Sequence, residues 1–390
     1  APLNPAYRED EFAFYIDDLK AKAVVLMEGD DGPASAAAEK LGVTVLRLTA
    51  DPAQPAGHFT LHTDVTGSCD ESAPDASDVA LILHTSGTTS RPKIVPLLQS
   101  NVAASAQNIA KSLALTSDDR CMNVMPLFHI HGLLAAVSAT LSTGGQVWCA
   151  PGFDALRFFG WLRDSDPTWY TAVPTMHQAI LSRAARNADV IAAARLRFLR
   201  SSSASLPGPV MEKLFETFGA PVIEGYGMTE AAHQMCSNPL TPGAQKPGAV
   251  GLPAGPEVRI AHEIEPVLID GGIGEVVISG PNVTPGYESN PDANAKNIFE
   301  DGGQHPAIAQ VVTFALPHPK LGEEVAAAVV LREGEEITDR DIRSFASERL
   351  ADFKVPRKVI ILDEIPKGAT GKMQRIGLAE KLGLVDTAAS

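Results

Sequence analysis

Cys121-Met122-Asn123-Val124-Met125 and Gln146-Val147-Trp148-Cys149-Ala150 bracket a stretch in which no Lys, Arg, Asp or Glu occurs from Cys121 to Phe153. The stretch is long enough to span a bilayer, but Pro126, His129, His131 and Gly144-Gly145 interrupt it, and its polarity alternates as strand, helix, strand. It is read as the buried core of a soluble βαβ unit. Outward from it the same rhythm continues. Candidate strands are Val79–His84, Cys121–Met125, Gln146–Ala150, Thr168–Val173, Leu196–Ser201 and Pro221–Glu224. Helices are expected to start near Ser100, Gly132, Asp154, Pro174 and Pro207, which predicts a largely parallel, helix-covered sheet. Phe12–Val25 and Ala34–Leu46 have the same character.

After Lys246 the texture changes to Gly, Pro and β-branched residues, as in Val258–Ile260 and Gly274–Ser279, which predicts a small antiparallel β region. From Gln304 the chain restarts as a compact α+β module. Ala309–Leu316, Val325–Leu331 and Val359–Leu362 read as strands, and Thr338–Leu350 as a helix with Thr338 as its N-cap. A Lys/Gly loop and a short terminal helix close it. The fold class expected is therefore α/β: a large N-terminal domain of parallel helix-covered sheets plus a small β region, residues 1–303, followed by a small mobile α+β C-terminal domain, residues 304–390.

Bulk properties narrow the function. Of the 390 residues 45% are hydrophobic and 20% charged, so a sizeable core forms and general disorder is excluded. Lys+Arg 32 against Asp+Glu 47 leaves a net charge of −15, the wrong sign for diffuse binding to nucleic acid or an anionic membrane. Any polyphosphate ligand must be held by a local site. The four cysteines (Cys69, Cys121, Cys149, Cys236) form no CxxC pair, which argues against a disulfide framework or zinc site and for a reducing compartment. Neither a signal peptide nor a peroxisomal tripeptide is visible, and a cytoplasmic location is the expectation. The chain opens on Ala-Pro, so residues are expected to precede it. Monomer and homodimer stay equally open.

Three segments carry chemistry. The first, Leu81-Ile82-Leu83-His84-Thr85-Ser86-Gly87-Thr88-Thr89-Ser90-Arg91-Pro92-Lys93, is a strand running into a hydroxyl-rich loop. Backbone N–H groups and hydroxyls of such a loop wrap phosphate oxygens, and Lys93 adds charge. Any one residue would suit an ordinary polar turn; the whole run is harder to explain that way. The Walker spacing GxxxxGK[ST] is absent. The second, Glu224-Gly225-Tyr226-Gly227-Met228-Thr229-Glu230, follows a strand end, where open α/β sheets bind ligands. Its glycines permit close backbone approach, Tyr226 offers a face for a base, and Thr229 and Glu230 offer oxygen ligands for magnesium. The third, Ile365-Pro366-Lys367-Gly368-Ala369-Thr370-Gly371-Lys372-Met373-Gln374-Arg375, sets lysines on a glycine loop that one domain orientation delivers to a site and another withdraws. Alone it also reads as a solvated basic turn.

In this order and separation the three segments resemble the adenylate-forming superfamily of acyl-CoA synthetases, luciferases and peptide-synthetase adenylation domains. The resemblance extends over essentially the whole chain, and Pro2-Leu3-Asn4-Pro5-Ala6-Tyr7 is similar to a segment well inside the family's chains. It implies an AMP-forming acid–thiol ligase that uses ATP, Mg2+ and coenzyme A on a small carboxylic acid. It further implies that Thr85, Ser86, Gly87, Thr88, Thr89 and Lys93 bind the ATP phosphates. Ser203, Ala204, Ser205, Glu224, Gly225, Tyr226 and Gly227 would frame the adenine, with Thr229 beside them. Glu230 would hold the metal, and Lys372 would stabilise the adenylation transition state, with Thr229 and Glu230 completing the catalytic set.

For the acid, Ser201-Ser202-Ser203-Ala204-Ser205 stands where fatty-acid and coumarate ligases carry a Gly-rich stretch, and His233 follows Glu230 by three residues. Short hydroxyls and an imidazole suit a small, twice-charged acid better than an alkyl chain. The pattern Tyr-x-Met-Thr-Glu-Ala-x-His, followed by Ser237-Asn238-Pro239, resembles the oxalate–CoA ligases. Carried over by position, Ser203 and His233 would contact oxalate, with His129 of the Phe128-His129-Ile130-His131-Gly132 run as a third candidate. Malonate, a medium-chain acid and an aryl acid remain alternatives that only the pocket separates.

One departure stands out. The family's Thr-Gly-Asp segment, whose aspartate binds the ribose, and its Gly-Arg-x-Lys-Glu hinge do not occur; Phe299-Glu300-Asp301-Gly302-Gly303 passes directly to Gln304-His305-Pro306. Both flanks resemble the family, so an intervening stretch is expected to be missing from this sequence. A hypothesis of another class, an inactive nucleotide-binding interaction protein, draws its support from that gap, while Lys372 and Glu230 weigh against it. A phosphotransferase would yield ADP instead of AMP, and no Walker or kinase-type loop is present.

Overall fold

The computed structural model describes the chain except residues 52, 55, 65–71, 86–91, 242–243, 262–267, 270–272, 299–306, 319–321, 348–354, 367–377 and 385–390. It divides into two compact units, residues 1–264 with 268–296, and residues 265–267 with 297–390. The first unit opens with helix Glu9–Asp18, strand β1 (Ala23–Met27), helix Pro33–Leu41 and strands β2 (Thr44–Thr49) and β3 (Thr60–His62). Apolar residues at helical spacing, Phe12 and Ile16 against Ala34, Ala37 and Ala38, lock the two helices together. Pro33 starts the second helix, and Gly42, at φ 66°, ends it in the left-handed conformation that glycine adopts without strain.

Strand β4 (Val79–His84) does not join the main sheet. It pairs antiparallel with β5 (Ile94–Leu98), so the hydroxyl-rich loop tips a β-hairpin instead of linking a strand to a helix. Helix Gln99–Ser112 follows. The main sheet comprises β6 (Arg120–Asn123), β7 (Gln146–Cys149), β8 (Trp169–Ala172), β9 (Phe198–Ser202), β10 (Val222–Met228), β11 (His233–Ser237) and β12 (Leu252–Pro253). Its order is β12-β11-β10-β9-β8-β6-β7; the strands from β7 to β10 run parallel, β11 pairs antiparallel with β10, and β12 antiparallel with β11. Between β6 and β7 the charge-free stretch winds as a π-helix, His131–Ser138. Among the described residues no helix is long and apolar enough to cross a membrane.

Alternation along the parallel strands assigns each side chain to a face. Met122, Tyr170, Leu199 and Val222 pack against Phe158, Leu162, Ile180 and Leu214 from the helices Phe158–Ser165, Pro174–Ala184 and Gly208–Phe218. Cys121, Trp169, Phe198 and Ile223 point the other way, onto Ile109, Ala110, Ala135 and Ala136 of helix Gln99–Ser112 and the π-helix. These side chains are almost wholly buried, each large one contributing about 1.5–3 kcal/mol. The small β region is β13 (Glu257–Ala261), β14 (Leu268–Ile269) and β15 (Glu275–Ser279), antiparallel as expected.

The second unit is a three-stranded sheet, β16 (Ile308–His318), β17 (Gly322–Leu331) and β18 (Lys358–Ile361), with β16–β17 antiparallel and β17–β18 parallel. Helices Asp339–Ser347 and Leu378–Lys381 accompany it. Thr338 caps the first of them: its Oγ1 accepts the Asp341 N–H at 3.2 Å, while Asp341 Oδ2 accepts the Thr338 N–H at 3.0 Å. The architecture is α/β.

Candidate active site

Thr171 and Arg200 are register partners on β8 and β9 and so share a face near the C-terminal ends of the parallel strands. His131, the first residue of the π-helix, is fully buried on this face. Its Nε2 lies 2.6 Å from Thr171 Oγ1 and its Nδ1 3.0 Å from Ser203 Oγ. A neutral imidazole carries one N–H, so it donates to one hydroxyl and accepts from the other. The ring of His233, which opens β11, stands 5.4 Å from that of His131. His233 is also buried, and its Nδ1 has no hydrogen-bond partner among the described residues.

Burial pushes both histidines well below the ordinary imidazole range. Neighbouring groups push the same way, His233 and Arg200 acting on His131, and Arg200 and His129 on His233. Both rings are neutral at pH 7. The backbone around them is strained: Ser203 (φ 70°), Ala232 (φ 48°) and His233 (φ 101°) occupy positive φ without being glycine, at about 1–3 kcal/mol each. Side chains from distant segments hold the strain. Ser105 Oγ donates to the Ala232 carbonyl, and Asn282 Nδ2 donates to the carbonyls of Ala231 (2.8 Å) and Gln234 (3.2 Å).

Ser203 and His233, named from the sequence, thus both border one buried ring, that of His131, which lies between them. His129 is half-buried, with its Nδ1 accepting the His131 N–H at 3.2 Å. Sequence spacing offered both histidines; the turn entering the π-helix selects which ring faces Ser203.

The hairpin closes across Thr85 and Lys93, whose backbones bond at 3.0 Å, with the Lys93 N–H also reaching Thr85 Oγ1 at 3.1 Å. Ser86, Gly87, Thr88 and Thr89 lie outside the described residues, as does Lys372. Lys93 Nζ sits 4.5 Å from the ring centre of Tyr287, and the Tyr287 hydroxyl donates to Glu230 Oε1 at 2.7 Å. Burial, then the Glu230 carboxylate, raise the pKa of that phenol, so it remains a donor. Tyr287 therefore joins the hairpin to the Thr229-Glu230 turn, a link that sequence reasoning missed; its signal was an isolated aromatic in the stretch Pro285-Gly286-Tyr287-Glu288.

The donors at that turn fit magnesium. Glu230 is partly exposed, with one carboxylate oxygen tied to Tyr287, and Thr229 beside it is partly exposed too. A single carboxylate with a hydroxyl suits an ion that keeps waters and phosphates in its shell.

On the opposite sheet face, buried Glu224 ties the Ser203–Ser205 turn to β10: its Oε1 accepts the Leu206 N–H at 2.9 Å, and burial raises its pKa. Ser203, Ala204, Ser205 and Tyr226 are exposed, and Tyr226 presents a face for stacking. Strand β10 continues to Met228, beyond the Glu224 boundary expected, so Gly225 and Gly227 are strand residues. Their missing side chains make room for the protein itself: a Cβ on Gly225 would meet the Arg200 guanidinium, and one on Gly227 the His233 carbonyl.

A sequence profile of the AMP-binding enzymes matches residues 1–288, and that of the AMP-binding enzyme C-terminal domain matches residues 303–372. The chain belongs to the AMP-binding enzyme family. Among similar members is the oxalate–CoA ligase of Arabidopsis thaliana, 41% identical over 96% of this chain and 82% of the relative. The oxalate–CoA ligase of Saccharomyces cerevisiae is 37% identical, over 97% and 81%. The ATP-bound crystal structure of MatB from Rhodopseudomonas palustris superposes with a TM-score of 0.65 at 27% identity, covering 97% of this chain and 83% of MatB. Alignment to the Arabidopsis enzyme runs over 423 positions, more than the 390 residues here, so that AMP-binding enzyme carries internal residues absent from this sequence.

Proposed function

We propose that oxalate is the acid which this AMP-forming CoA ligase activates. The observation that carries the reading is the meeting of His131, Ser203 and His233 at the strand ends, three short donors or acceptors with the two rings neutral and buried. His131 has both ring nitrogens paired within the protein, so the groups left to a ligand are the exposed Ser203 hydroxyl and the buried, unpartnered Nδ1 of His233, which an alkyl or aryl tail would leave unpaired. A second carboxylate satisfies them. The identity to two oxalate–CoA ligases supports the same choice.

In the first half-reaction a carboxylate oxygen of oxalate attacks the α-phosphorus of ATP, the bond to the bridging oxygen breaks, and pyrophosphate leaves. Ser203 and His233 hold the other carboxylate, so that the attacking oxygen is aligned. Thr85, Lys93 and the residues 86–89 between them hold the phosphates, and Tyr226 stacks on the base. Glu230, oriented by Tyr287, and Thr229 would hold magnesium, which would neutralise phosphate charge. Lys372 meets the charge developing at phosphorus. In the second half-reaction the thiolate of coenzyme A attacks the oxalyl carbonyl and AMP departs. Residues 1–303 supply the nucleotide and acid sites in this reading, and residues 304–390 supply Lys372.

Carboxylate-dependent ATP–pyrophosphate exchange tests it, with oxalate, malonate, acetate, octanoate and coumarate compared at equal concentration. Exchange well above the others is expected with oxalate. Exchange with another acid and none with oxalate would overturn the assignment while leaving the ligase chemistry in place.

A further inference from the structure

Arg200 sits in the middle of β9 with its side chain wholly shielded from solvent. Its Nη2 donates to Gln234 Oε1 at 3.3 Å, and its Nε and Nη1 have no partner among the described residues. Gln234 is itself held in place. Its Nε2 donates to Ser112 Oγ and to the Ala254 carbonyl, both at 3.0 Å, which turns Oε1 toward the guanidinium. Above the planar group lies Gly225, whose absent side chain leaves it room. Among the described residues no carboxylate forms an ion pair with Arg200. Asp119, the buried acid on the same strand system, is committed to Arg197. Burial lowers the Arg200 pKa only to about 10, so the group stays cationic at neutral pH.

An unpaired cation in a protein interior is costly, and removing its environment's compensation is one of the few ways a buried side chain costs several kilocalories. Arg200 is the register partner of Thr171, whose Oγ1 lies 2.6 Å from His131 Nε2, and its Nη2 bonds Gln234, the residue after His233, so its charge lies beside both buried histidines. The interior has a low dielectric, so the charge acts on a ligand there without touching it. We infer that Arg200 is the specificity-determining cation of the acid pocket, its unpaired charge compensated by the second, unreacting carboxylate of a dianionic substrate. The inference rests on the oxalate reading and deepens it. Ser203, oriented by His131, and His233 recognise the shape and hydrogen bonding of the acid, and Arg200 counts its charge.

Oxamate isolates that count, because it replaces one carboxylate of oxalate with an uncharged amide of nearly the same shape. The experiment compares kcat/KM for oxalate and for oxamate, by pyrophosphate exchange, in the wild type, R200M and R200K. The wild type is expected to favour oxalate, R200M to lose at least tenfold of that preference with the KM for ATP unchanged, and R200K to restore most of it. A merely structural arginine would lower both acids together, so an unchanged oxalate-to-oxamate ratio in R200M overturns the inference while leaving oxalate as substrate. The unmodified protein supplies a check that does not depend on a variant's folding. In the presence of AMP, oxalate is expected to raise its melting temperature more than oxamate does, and equal protection overturns the inference. Absence of any oxalate exchange in the wild type is the separate result that removes the substrate reading beneath it.

Discussion

Buried histidines lie on both faces of the seven-stranded sheet, and two of them, His177 on one face and His233 on the other, are treated differently. On the scaffold face His177 accepts from the Tyr170 hydroxyl at Nδ1 (3.3 Å) and donates from Nε2 to the Arg200 carbonyl (3.2 Å), so both ring nitrogens are satisfied by the protein. Around it lie Tyr170, Phe158 and Leu199 without a break in the apolar packing. On the other face the strands begin as apolar, with Trp169 and Phe198, and turn polar two residues later at Thr171 and Arg200. There His233 leaves Nδ1 without a partner and Arg200 leaves Nε and Nη1. A satisfied buried group stabilises the fold and an unsatisfied one is kept at a cost, which on the reading proposed above a ligand would offset at His233 and Arg200; Glu224 Oε2 and Ser201 Oγ are unpartnered among the described residues on the scaffold face too. Of the non-glycine residues at positive φ, Ser203, Ala232 and His233 lie at the site.

The largest effect is expected at the scaffold. Phe158→Ala is expected to cost about 3–5 kcal/mol in chemical denaturation, by cavity formation, while the protein that remains folded keeps its KM for acid. His233→Ala should reverse that pattern: exchange with oxalate falls about 100-fold, some 2.7 kcal/mol of transition-state stabilisation, with the denaturation midpoint nearly unmoved. Should the midpoint fall instead with activity per folded molecule intact, His233 belongs with the scaffold.

Acid sharpens the contrast next. His177 has its pKa lowered from 6.5 to about 4 by burial, so the unfolded chain takes up the proton first and stability rises with pH. Its contribution is complete above pH 6.5 and is lost as pH falls toward about 4, at about 1.4 kcal/mol per pH unit. His131 and His233, lowered by the same cause, add to the slope. Urea midpoints at pH 7 and pH 5 should differ accordingly, and His177→Gln should flatten the slope; an unchanged slope would place the proton uptake elsewhere. The smallest effect is expected from Tyr287→Phe, which frees one oxygen of Glu230: a several-fold rise in the magnesium concentration needed for half-maximal exchange, about 1 kcal/mol, with the acid preference unaltered.

Most of the parallel sheet was legible because each of its strands is a short apolar run between breakers, and the observed strands begin within about two residues of the expected positions. The hairpin partner β5 was not, since Pro96 in Ile94-Val95-Pro96-Leu97-Leu98 removes a donor and argues against a strand. It is tolerated because β4 and β5 form a two-stranded sheet, in which every strand is an edge. Ser203 and His233 were singled out by their position in the family's pattern and by their small polar side chains, and the structure places each beside the His131 ring. That His131 rather than His129 lies beside Ser203 was not readable, because it depends on how the chain turns into the π-helix. Arg200 stood within an expected strand, a charge in an apolar run, and its importance emerges only when its lack of an ionic partner is seen.

One short segment has a bearing on how the protein is made. Residues 281–288 bind both halves of the site: Asn101 donates to the carbonyls of Pro281 and Val283, Thr284 Oγ1 to that of Pro96, the Glu288 N–H to that of Ile94, and the Thr284 N–H to that of Glu230. Asn282 and Tyr287 complete the set. These ties join positions up to 188 residues apart, the kind of contact that forms late in folding. On the ribosome the hairpin and the β10–β11 turn emerge long before the strap that fastens them. At about 5–20 residues per second, the strained His233 turn waits several seconds for its restraint. Until residue 288 has left the exit tunnel, the nascent chain has a sheet but no site.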